Sequence, residues 1–272
     1  MASNKYTHYL VKHHDNIDLS AISTEPDAHD MAQASTWGHA LKKHGERLDA
    51  LQSLLHAGQS KGLLLVLQGM DTSGKDGVIR GVFTHVSPLG VRAEAFGAPS
   101  EAEKRHDFLW RIHQRVPALG EIAIFNRSHY EDVLVTRVRG WIDKETWTQR
   151  FQHIRNFEAM LHDEGVTVLK CYLHISKGEQ KKRLQARLDE PSKHWKLQAS
   201  DFEDRKRWTD YMTAYQDAMS ATSTPLAPWY VIPADHKPYR DLVLADLLVQ
   251  TLEGMELAMP QPKFDLSTAK LH

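Results

Sequence analysis

The chain has 272 residues, of which 41% are hydrophobic and 25% charged, and its formal net charge is -1 when the histidines are neutral. This composition is typical of a globular protein and excludes the disordered class and general polycations, so we expect no nucleic-acid partner. The longest apolar run, residues 63–67, is too short to cross a bilayer, and one cysteine, Cys171, excludes an internal disulfide.

The N-terminal residues are polar and lack the apolar core of an export signal, so we expect a cytoplasmic protein without a membrane partner. Residues 30–56 follow with the pattern of one or two helices, whose apolar positions are Leu41, Leu48, Leu51, Leu54 and Leu55. We predict a helical extension over residues 1–60. The 17 histidines show no metal-ligand spacing, and we expect no zinc.

Five short apolar segments rich in β-forming residues come next, at residues 62–68, 91–96, 121–126, 166–175 and 229–234. Stretches with helical periodicity lie between and after them, at residues 101–115, 144–164, 200–221 and 238–259. This alternation predicts an α/β fold with three α/β/α layers and a five-stranded parallel sheet, whose site lies at the carboxyl edge of the strands. We predict one such domain over residues 61–259, followed by a loosely held tail over residues 260–272.

A glycine-rich loop directly follows the first of these strands. The string GMDTSGKDG fits the pattern G-x-x-x-x-G-K from Gly69 through Gly74 and Lys75. Glycines allow close approach of a phosphate, the amides of the next helix face the anion, and the lysine adds a mobile charge. Between a strand and a helix, this pattern favours a phosphate-binding loop over a simple glycine turn. The predicted phosphate-binding residues here are Gly69, Thr72, Ser73, Gly74, Lys75, Asp76 and Gly77.

Two carboxylates make this loop unusual, because Asp71 lies within it and Asp76 stands where Ser or Thr commonly follows the lysine. A carboxylate repels phosphate unless a cation lies between them, so we expect Mg²⁺, or Mn²⁺ in its place, held by carboxylate and phosphate oxygens. Asp71 is interpreted as a metal ligand, direct or through water, or as a base. Two interpretations of Asp76 stay open with equal weight. It takes part in this chemistry, or it is simply an acid stabilised by the dipole at the start of a helix.

The segment EIAIFNRSHYEDV ends a strand in a polar cluster at the same predicted sheet edge. There Asn126 would orient the metal or its water and Arg127 would neutralise charge on the transferred group, while Ser128, Tyr130 and Glu131 are predicted to contact a nucleotide. The alternative is structural, with Asn126 capping the next helix and Arg127 pairing with Glu131.

Residues 177–196, the basic segment, contain seven basic and three acidic residues, a local charge of +4. Such a run is commonly a solvated helix face. In P-loop kinases the segment at this point in the order of elements is the lid, which closes over the phosphates. We therefore predict a lid at residues 177–200. Arg183 and Arg187, one helical turn apart, are expected to present adjacent guanidinium groups to phosphate, and Lys193 and Lys196 to extend the same track.

Five blocks in this order, GMDTSGKDG, AFGAPSEAE, HDFLWRIH, FNRSHYE and EQKKRLQARLDEPSKHWKL, closely resemble the polyphosphate kinase 2 family from about residue 63 to residue 229. The resemblance implies a thymidylate-kinase-like P-loop fold, magnesium dependence and phosphate transfer between inorganic polyphosphate and nucleotides. The acid after the loop lysine and the FNRSHYE string are similar to the subgroup that phosphorylates both AMP and ADP to make ADP and ATP.

By position, the family's loop acid and lysine correspond to Asp71 and Lys75, its third-strand pair to Asn126 and Arg127, and its lid arginines to Arg183 and Arg187. Many members have Asp where this chain has Asn126, so Asp71 must supply more of the metal's negative charge. The resemblance also implies a homo-oligomer, a dimer or tetramer. Two alternatives stay open: a nucleoside monophosphate kinase that uses ATP as donor, and a P-loop module that binds polyphosphate or nucleotide without turnover.

Overall fold

The structure, a computed structural model, describes residues 6–13 and 15–264 and contains a six-stranded sheet in the order β1, β6, β5, β2, β4, β3. The strands are β1 (Leu10–Val11), β2 (Gly62–Gln68), β3 (Val91–Ala95), β4 (Ile122–Asn126), β5 (Val166–His174) and β6 (Trp229–Pro233). Strands β2 to β6 are mutually parallel, as predicted, and each of the five segments is a strand.

The sheet has six strands rather than five, and it is mixed rather than purely parallel. The additional strand, β1, pairs antiparallel with β6 through Leu10 and Tyr230. Two residues are too few to show the alternation by which a strand is detected in a sequence.

Ten α-helices lie in the described residues. They are α1 (Ala28–Ala32), α2 (Trp37–Gly58), α3 (Lys75–Val82), α4 (Trp110–His113), α5 (Glu131–Val138), α6 (Lys144–Asp163), α7 (Lys177–Asp189), α8 (Ala199–Lys206), α9 (Trp208–Thr222) and α10 (Lys237–Gly254). Helices α2 and α3 pack on α10, whereas α5, α6 and α9 pack together on the other side of the sheet, which completes the three layers.

Two helix predictions need correction. The stretch at residues 101–115 contains mainly turns, with only the four residues of α4 in an α-helix. The stretch at residues 200–221 is two helices, α8 and α9, separated at Arg207. Polar segments with scattered apolar residues fit a helical period without forming one continuous helix.

The core is continuous from the sheet into the N-terminal segment. Every residue of β2 is buried, as expected for a central parallel strand covered on both faces. Leu48, Leu51 and Leu55 of α2 are buried in the same core. The predicted tail lies partly outside the described residues, because 265–272 are not among them. Within the described residues, no helix combines the length and apolarity needed to span a bilayer.

Candidate active site

The site lies where β2 and β4, neighbouring parallel strands, end at the same edge of the sheet. Leu67 of β2 is in register with Asn126 of β4, so the residues that follow them emerge side by side. The Arg127 guanidinium donates from Nη2 to Asp71 Oδ1 at 2.9 Å, and its Nη1 lies 3.9 Å from Glu131 Oε2. The convergence of Asp71 and Arg127 expected from the topology is therefore present.

Backbone geometry explains the two glycines of the phosphate loop, residues 69–75. Gly74 has a φ of 100°, and a Cβ there would lie 2.0 Å from Arg240 Nη1. A Cβ on Gly69 would lie 2.7 Å from Ser73 Oγ and 2.8 Å from the carbonyl oxygen of Leu173. At Gly69 the backbone carbonyl of Leu173 leaves no room for a side chain, whether or not phosphate is bound. At Gly74 the positive φ and the nearby Arg240 guanidinium both disfavour one.

Lys75 is buried at the base of the loop. Its Nζ donates to the Gly69 carbonyl at 2.7 Å. Burial and the neighbouring Arg127 lower the pKa of Lys75 to about 8, although Asp71, Glu131 and Asp76 oppose this shift. The Lys75 ammonium therefore lies among one positive and three negative side chains. A phosphate bound at this loop would add further negative charge beside it.

The two loop carboxylates have different partners. Asp71 pairs with Arg127, while Asp76, in the first turn of α3, accepts a hydrogen bond from Asn126 Nδ2 at 2.5 Å. Asp76 therefore links α3 to the end of β4. Its position in the first turn of α3 is also favourable for the helix dipole, but this is not its sole interaction. Among the described residues no three histidine, cysteine or acidic side chains are grouped to hold a metal. Mg²⁺ commonly binds through one or two carboxylates with waters and substrate phosphates, and the carboxylates of Asp71 and Asp76 are ligands of this chemical type.

A small cavity, about 30 Å³ in volume, opens beside the phosphate loop and is called the site cavity below. It is lined by Gly69, Met70, Asp71, Arg127, Glu131, Val135, Asp204, Tyr211 and Tyr215. Burial raises the pKa of Glu131, against the opposing effect of Arg127, and burial also raises the pKa of Asp204. The cavity thus places three acids and two tyrosine rings next to the phosphate loop.

A larger cavity of about 450 Å³ lies between residues 19–25, the start of α7 and the start of α9. None of the predicted site residues lines it. The predicted site residues Asp71, Arg127 and Glu131 line the smaller cavity, so the candidate active site is placed there.

The basic segment is organised differently from the expectation. Arg183 is 9% exposed, and its Nη1 donates to the carbonyls of Thr72 and Ser73 at 3.0 and 3.1 Å. Its Nη2 donates to the carbonyls of Ala234 and Asp235 at 2.7 and 3.0 Å. Arg183 therefore holds the back of the phosphate loop instead of presenting an open guanidinium to phosphate, since protein carbonyls occupy its donors.

The other basic side chains of the segment are more accessible. Arg187 Nη1 lies 3.8 Å from Asp201 Oδ2 and donates to the Lys196 carbonyl at 3.3 Å. Lys193 pairs with Glu190, and Lys196 Nζ lies 5.0 Å from the centre of the exposed Trp195 ring. These residues remain candidates for contact with a long anion.

The sequence profile of the Polyphosphate kinase 2 family matches residues 32–260. The chain belongs to the polyphosphate kinase 2 family. A crystal structure of Polyphosphate Kinase 2 from Arthrobacter aurescens superposes with a TM-score of 0.90 at 41% identity, covering 98% of this chain and 95% of that one. The fold is thus that of this kinase family.

Two curated relatives are similar over most of the chain. The AMP/ADP-polyphosphate phosphotransferase of Meiothermus ruber is 54% identical over 224 residues, which cover 82% of this chain and 84% of the relative. The ADP-polyphosphate phosphotransferase of Rhodopseudomonas palustris is 39% identical over 269 residues, which cover 94% of this chain and 93% of the relative.

Among the three nucleotide contacts predicted for this family member, only Glu131 lines the site cavity. Ser128 and Tyr130 are 0% exposed. Tyr130 packs edge-on against Trp229 in the core, with its hydroxyl 2.9 Å from Glu158 Oε1. Both side chains point inward from the turn, so the structure does not bring Ser128 and Tyr130 to the cavity, contrary to the prediction of direct nucleotide contact.

Four site residues were missed in the sequence. Asp204, Tyr211 and Tyr215 line the cavity from α8 and α9, and Arg240 of α10 donates from Nη1 to the Ser73 carbonyl at 3.3 Å. The spacing of Tyr211 and Tyr215 places both on one helix face, a signal that could have indicated a shared surface. For Arg240 the sequence offers no comparable signal.

Proposed function

We propose that this kinase transfers phosphate from inorganic polyphosphate to AMP and ADP, making ADP and ATP, in a reaction that is reversible in principle. The names of the Meiothermus ruber and Rhodopseudomonas palustris relatives support this choice of substrates. The structural observation that carries the proposal is the Asp71 to Arg127 pair beside Lys75, at the mouth of a phosphate loop. That arrangement supplies positive charge and a metal-binding carboxylate within one small space.

Catalysis by these residues rests on positioning and charge neutralisation. The amides at the start of α3 and the Lys75 ammonium would hold the donor phosphate, and Arg127 would neutralise charge on the transferred group. Mg²⁺, or Mn²⁺ in its place, held by Asp71 with help from Asp76, would screen the repulsion between donor and acceptor phosphates. Asn126 faces Asp76 with its Nδ2 and would orient that carboxylate, leaving its amide oxygen as a further metal ligand.

The acceptor nucleotide is proposed to bind at the mouth of the site cavity, because the cavity itself has room for only about one water molecule. Glu131, which lines the cavity, is the predicted nucleotide contact that this proposal keeps. Arg187, Lys193 and Lys196 are proposed to guide the polyphosphate chain toward the loop. The proposed compartment is the cytoplasm. The proposed assembly is a dimer or tetramer, and light scattering after gel filtration measures the molar mass that tests it.

A luminescent ATP assay with AMP, Mg²⁺ and long-chain polyphosphate, and no added ATP, tests the proposal directly. We expect ATP to accumulate with the native protein and not with Lys75→Ala. Formation of ADP from AMP only when ATP is supplied would instead indicate a conventional nucleoside monophosphate kinase. Tight polyphosphate binding with no turnover of either nucleotide would indicate a binding module.

A further inference from the structure

A fully buried polar cluster lies beneath the turn between β4 and α5, residues 127–130, and makes no contact with the site cavity. Lys170 of β5 donates from Nζ to Glu158 Oε2 at 2.6 Å, to the Thr222 carbonyl at 2.8 Å and to the Tyr130 hydroxyl oxygen at 3.0 Å. The Lys170 and Glu158 side chains are 0% and 1% exposed. All three ammonium hydrogens therefore have protein acceptors.

The other oxygen of Glu158 binds two consecutive residues of the turn. The Tyr130 hydroxyl donates to Glu158 Oε1 at 2.9 Å, and His129 Nε2 lies 3.3 Å from the same oxygen. A carboxylate only accepts, so Nε2 carries the hydrogen of this contact. Burial lowers the pKa of His129 and keeps the imidazole neutral, which leaves Lys170 and Glu158 as the ion pair of the cluster.

Stability alone does not account for such a pair. Removing two charges from water is costly, and apolar side chains of similar volume commonly stabilise a core equally well or better. A buried pair can instead specify one arrangement of the groups that it binds. Here those groups belong to the β4–α5 turn, which three separate elements, α6, β5 and α9, hold through the cluster.

The same turn carries the charged residues of the active site. Arg127 has a φ of 64°, a left-handed conformation that a non-glycine residue keeps only where its surroundings hold it. Glu131 begins α5 directly after Tyr130. Ser128 Oγ accepts from Gln68 Nε2 and from the Tyr130 amide, both at 3.2 Å. The turn is thus fixed at Ser128, His129 and Tyr130 on its inner side, while Arg127 and Glu131 face the site cavity.

We propose that the Lys170 and Glu158 pair, acting through Tyr130, positions Arg127 and Glu131 for phosphate transfer. All three are buried and none lines the site cavity, so their proposed role is that of positioning residues. The activity measurements below rest on the proposed function, whereas the structural measurement does not.

Tyr130→Phe removes the hydroxyl that joins the pair to the turn and keeps the ring in the core. We expect kcat for ATP formation from ADP and polyphosphate to fall by about 10-fold to 100-fold, with KM nearly unchanged, because a small displacement of Arg127 weakens contacts made in the transition state. Tyr172→Phe is the matched control, since this buried tyrosine of β5 places its hydroxyl 3.7 Å from the sulfur of Met212, a residue of α9 and not of the turn. An equal loss in both variants, or none in Tyr130→Phe, would refute the proposal.

A double-mutant cycle separates positioning from a general effect on the fold. If Tyr130 acts through Arg127, adding Tyr130→Phe to Arg127→Ala should cause little further loss of kcat. Multiplied losses would show that Tyr130 acts independently of Arg127 and would overturn the positioning of Arg127 by Tyr130.

Replacing both Lys170 and Glu158 by apolar residues tests whether the charges of the pair position the turn or stabilise the fold. Lys170→Met with Glu158→Met should unfold cooperatively at a melting temperature close to that of the native protein, yet show the reduced kcat of Tyr130→Phe. Native kcat in this folded double variant would mean that the pair is dispensable for the site. Should the double variant fail to fold, the Tyr130→Phe comparison decides alone.

A crystal structure of Tyr130→Phe gives a readout that does not depend on the substrate. We expect the distance from Arg127 Nη2 to Asp71 Oδ1, now 2.9 Å, to lengthen or the Arg127 backbone to leave its left-handed conformation. An unchanged turn would disprove the positioning role even if the native enzyme uses polyphosphate. Conversely, a native enzyme inactive with polyphosphate would disprove the proposed function while this measurement still tests the turn.

Discussion

Lys75 is a lysine whose charge should be lost within an accessible pH range. Its pKa of about 8 lies below the ordinary value of 10.5, so the charged form disappears as the pH rises through 8. We expect kcat/KM for polyphosphate, which reports the free enzyme, to be constant below pH 7 and to fall about tenfold per pH unit above 8. Initial rates at low polyphosphate concentration between pH 6.5 and 10 measure this profile.

The control for this profile is Lys75→Arg, whose guanidinium stays charged over the whole range. Although its activity should be lower at every pH, the decline above pH 8 should disappear. A decline with the same midpoint in Lys75→Arg would assign the titration to another group.

Arg127 combines backbone strain with a direct role in the site, and the two can be separated. A φ of 64° is unfavourable for any residue with a Cβ and acceptable for glycine. We therefore expect Arg127→Gly to exceed Arg127→Ala in unfolding free energy by about 1 kcal/mol, measured by urea denaturation. Both variants should lose about 10²-fold to 10³-fold in kcat, because each lacks the charged donor beside Asp71.

The comparison between the two substitutions is internal, since each removes the same guanidinium and its contacts with Asp71 and Glu131. Equal stability of the glycine and alanine variants would show that the turn relaxes to an ordinary conformation once the arginine is gone.

At the scale of elements, α7 carries two arginines that share a helical face but have different tasks. Arg183 donates to four backbone carbonyls of the phosphate loop and of the segment after β6, while Arg187 is only partly covered. We expect Arg183→Ala to lower the unfolding free energy by about 2 to 4 kcal/mol, because buried carbonyls lose charged donors. Arg187→Ala should cost less than about 1 kcal/mol and mainly raise KM for polyphosphate.

Arg187→Ala is thus the matched control for Arg183→Ala, one turn away on the same helix. Denaturation curves and polyphosphate kinetics of both variants are needed together. If Arg183→Ala left stability unchanged and raised only KM, the sequence-based assignment of Arg183 as a phosphate ligand would regain support over the contacts described above.

The difference at α7 shows what helical spacing can and cannot predict. A separation of four residues indicates that Arg183 and Arg187 point the same way. It does not indicate what that side meets, which here is the phosphate loop, more than 100 residues earlier in the chain. Arg240 was missed for the same reason, because its partner at Ser73 is distant in sequence.

For the molecule as a whole, the strongest sequence signals came from the centre of the sheet. The five parallel strands begin and end within one residue of the predicted segments, since buried strands are short apolar runs bounded by turns. The rule that parallel strands end at one edge also predicted the meeting of Asp71 and Arg127. Side chains brought in by α8, α9 and α10 could not be placed, because their positions depend on packing between distant helices.

Residues 1–60 share strand pairing and core packing with the rest of the chain. They were predicted as an extension, yet β1 joins the sheet and α2 packs along α10. Leu48 of α2 is 0% exposed within the common core. The physical expectation is that this segment and the kinase domain unfold together.

Leu48→Ala tests that expectation. The substitution should lower the unfolding free energy of the entire chain by about 2 to 5 kcal/mol, because it leaves a cavity in the shared core. Leu54→Ala, at a partly exposed position of the same helix, should cost only about 1 kcal/mol. Far-ultraviolet circular dichroism and tryptophan fluorescence should give coincident transitions for both variants. Two separated transitions, with only the first shifted by Leu48→Ala, would show that the N-terminal segment is an independent unit after all.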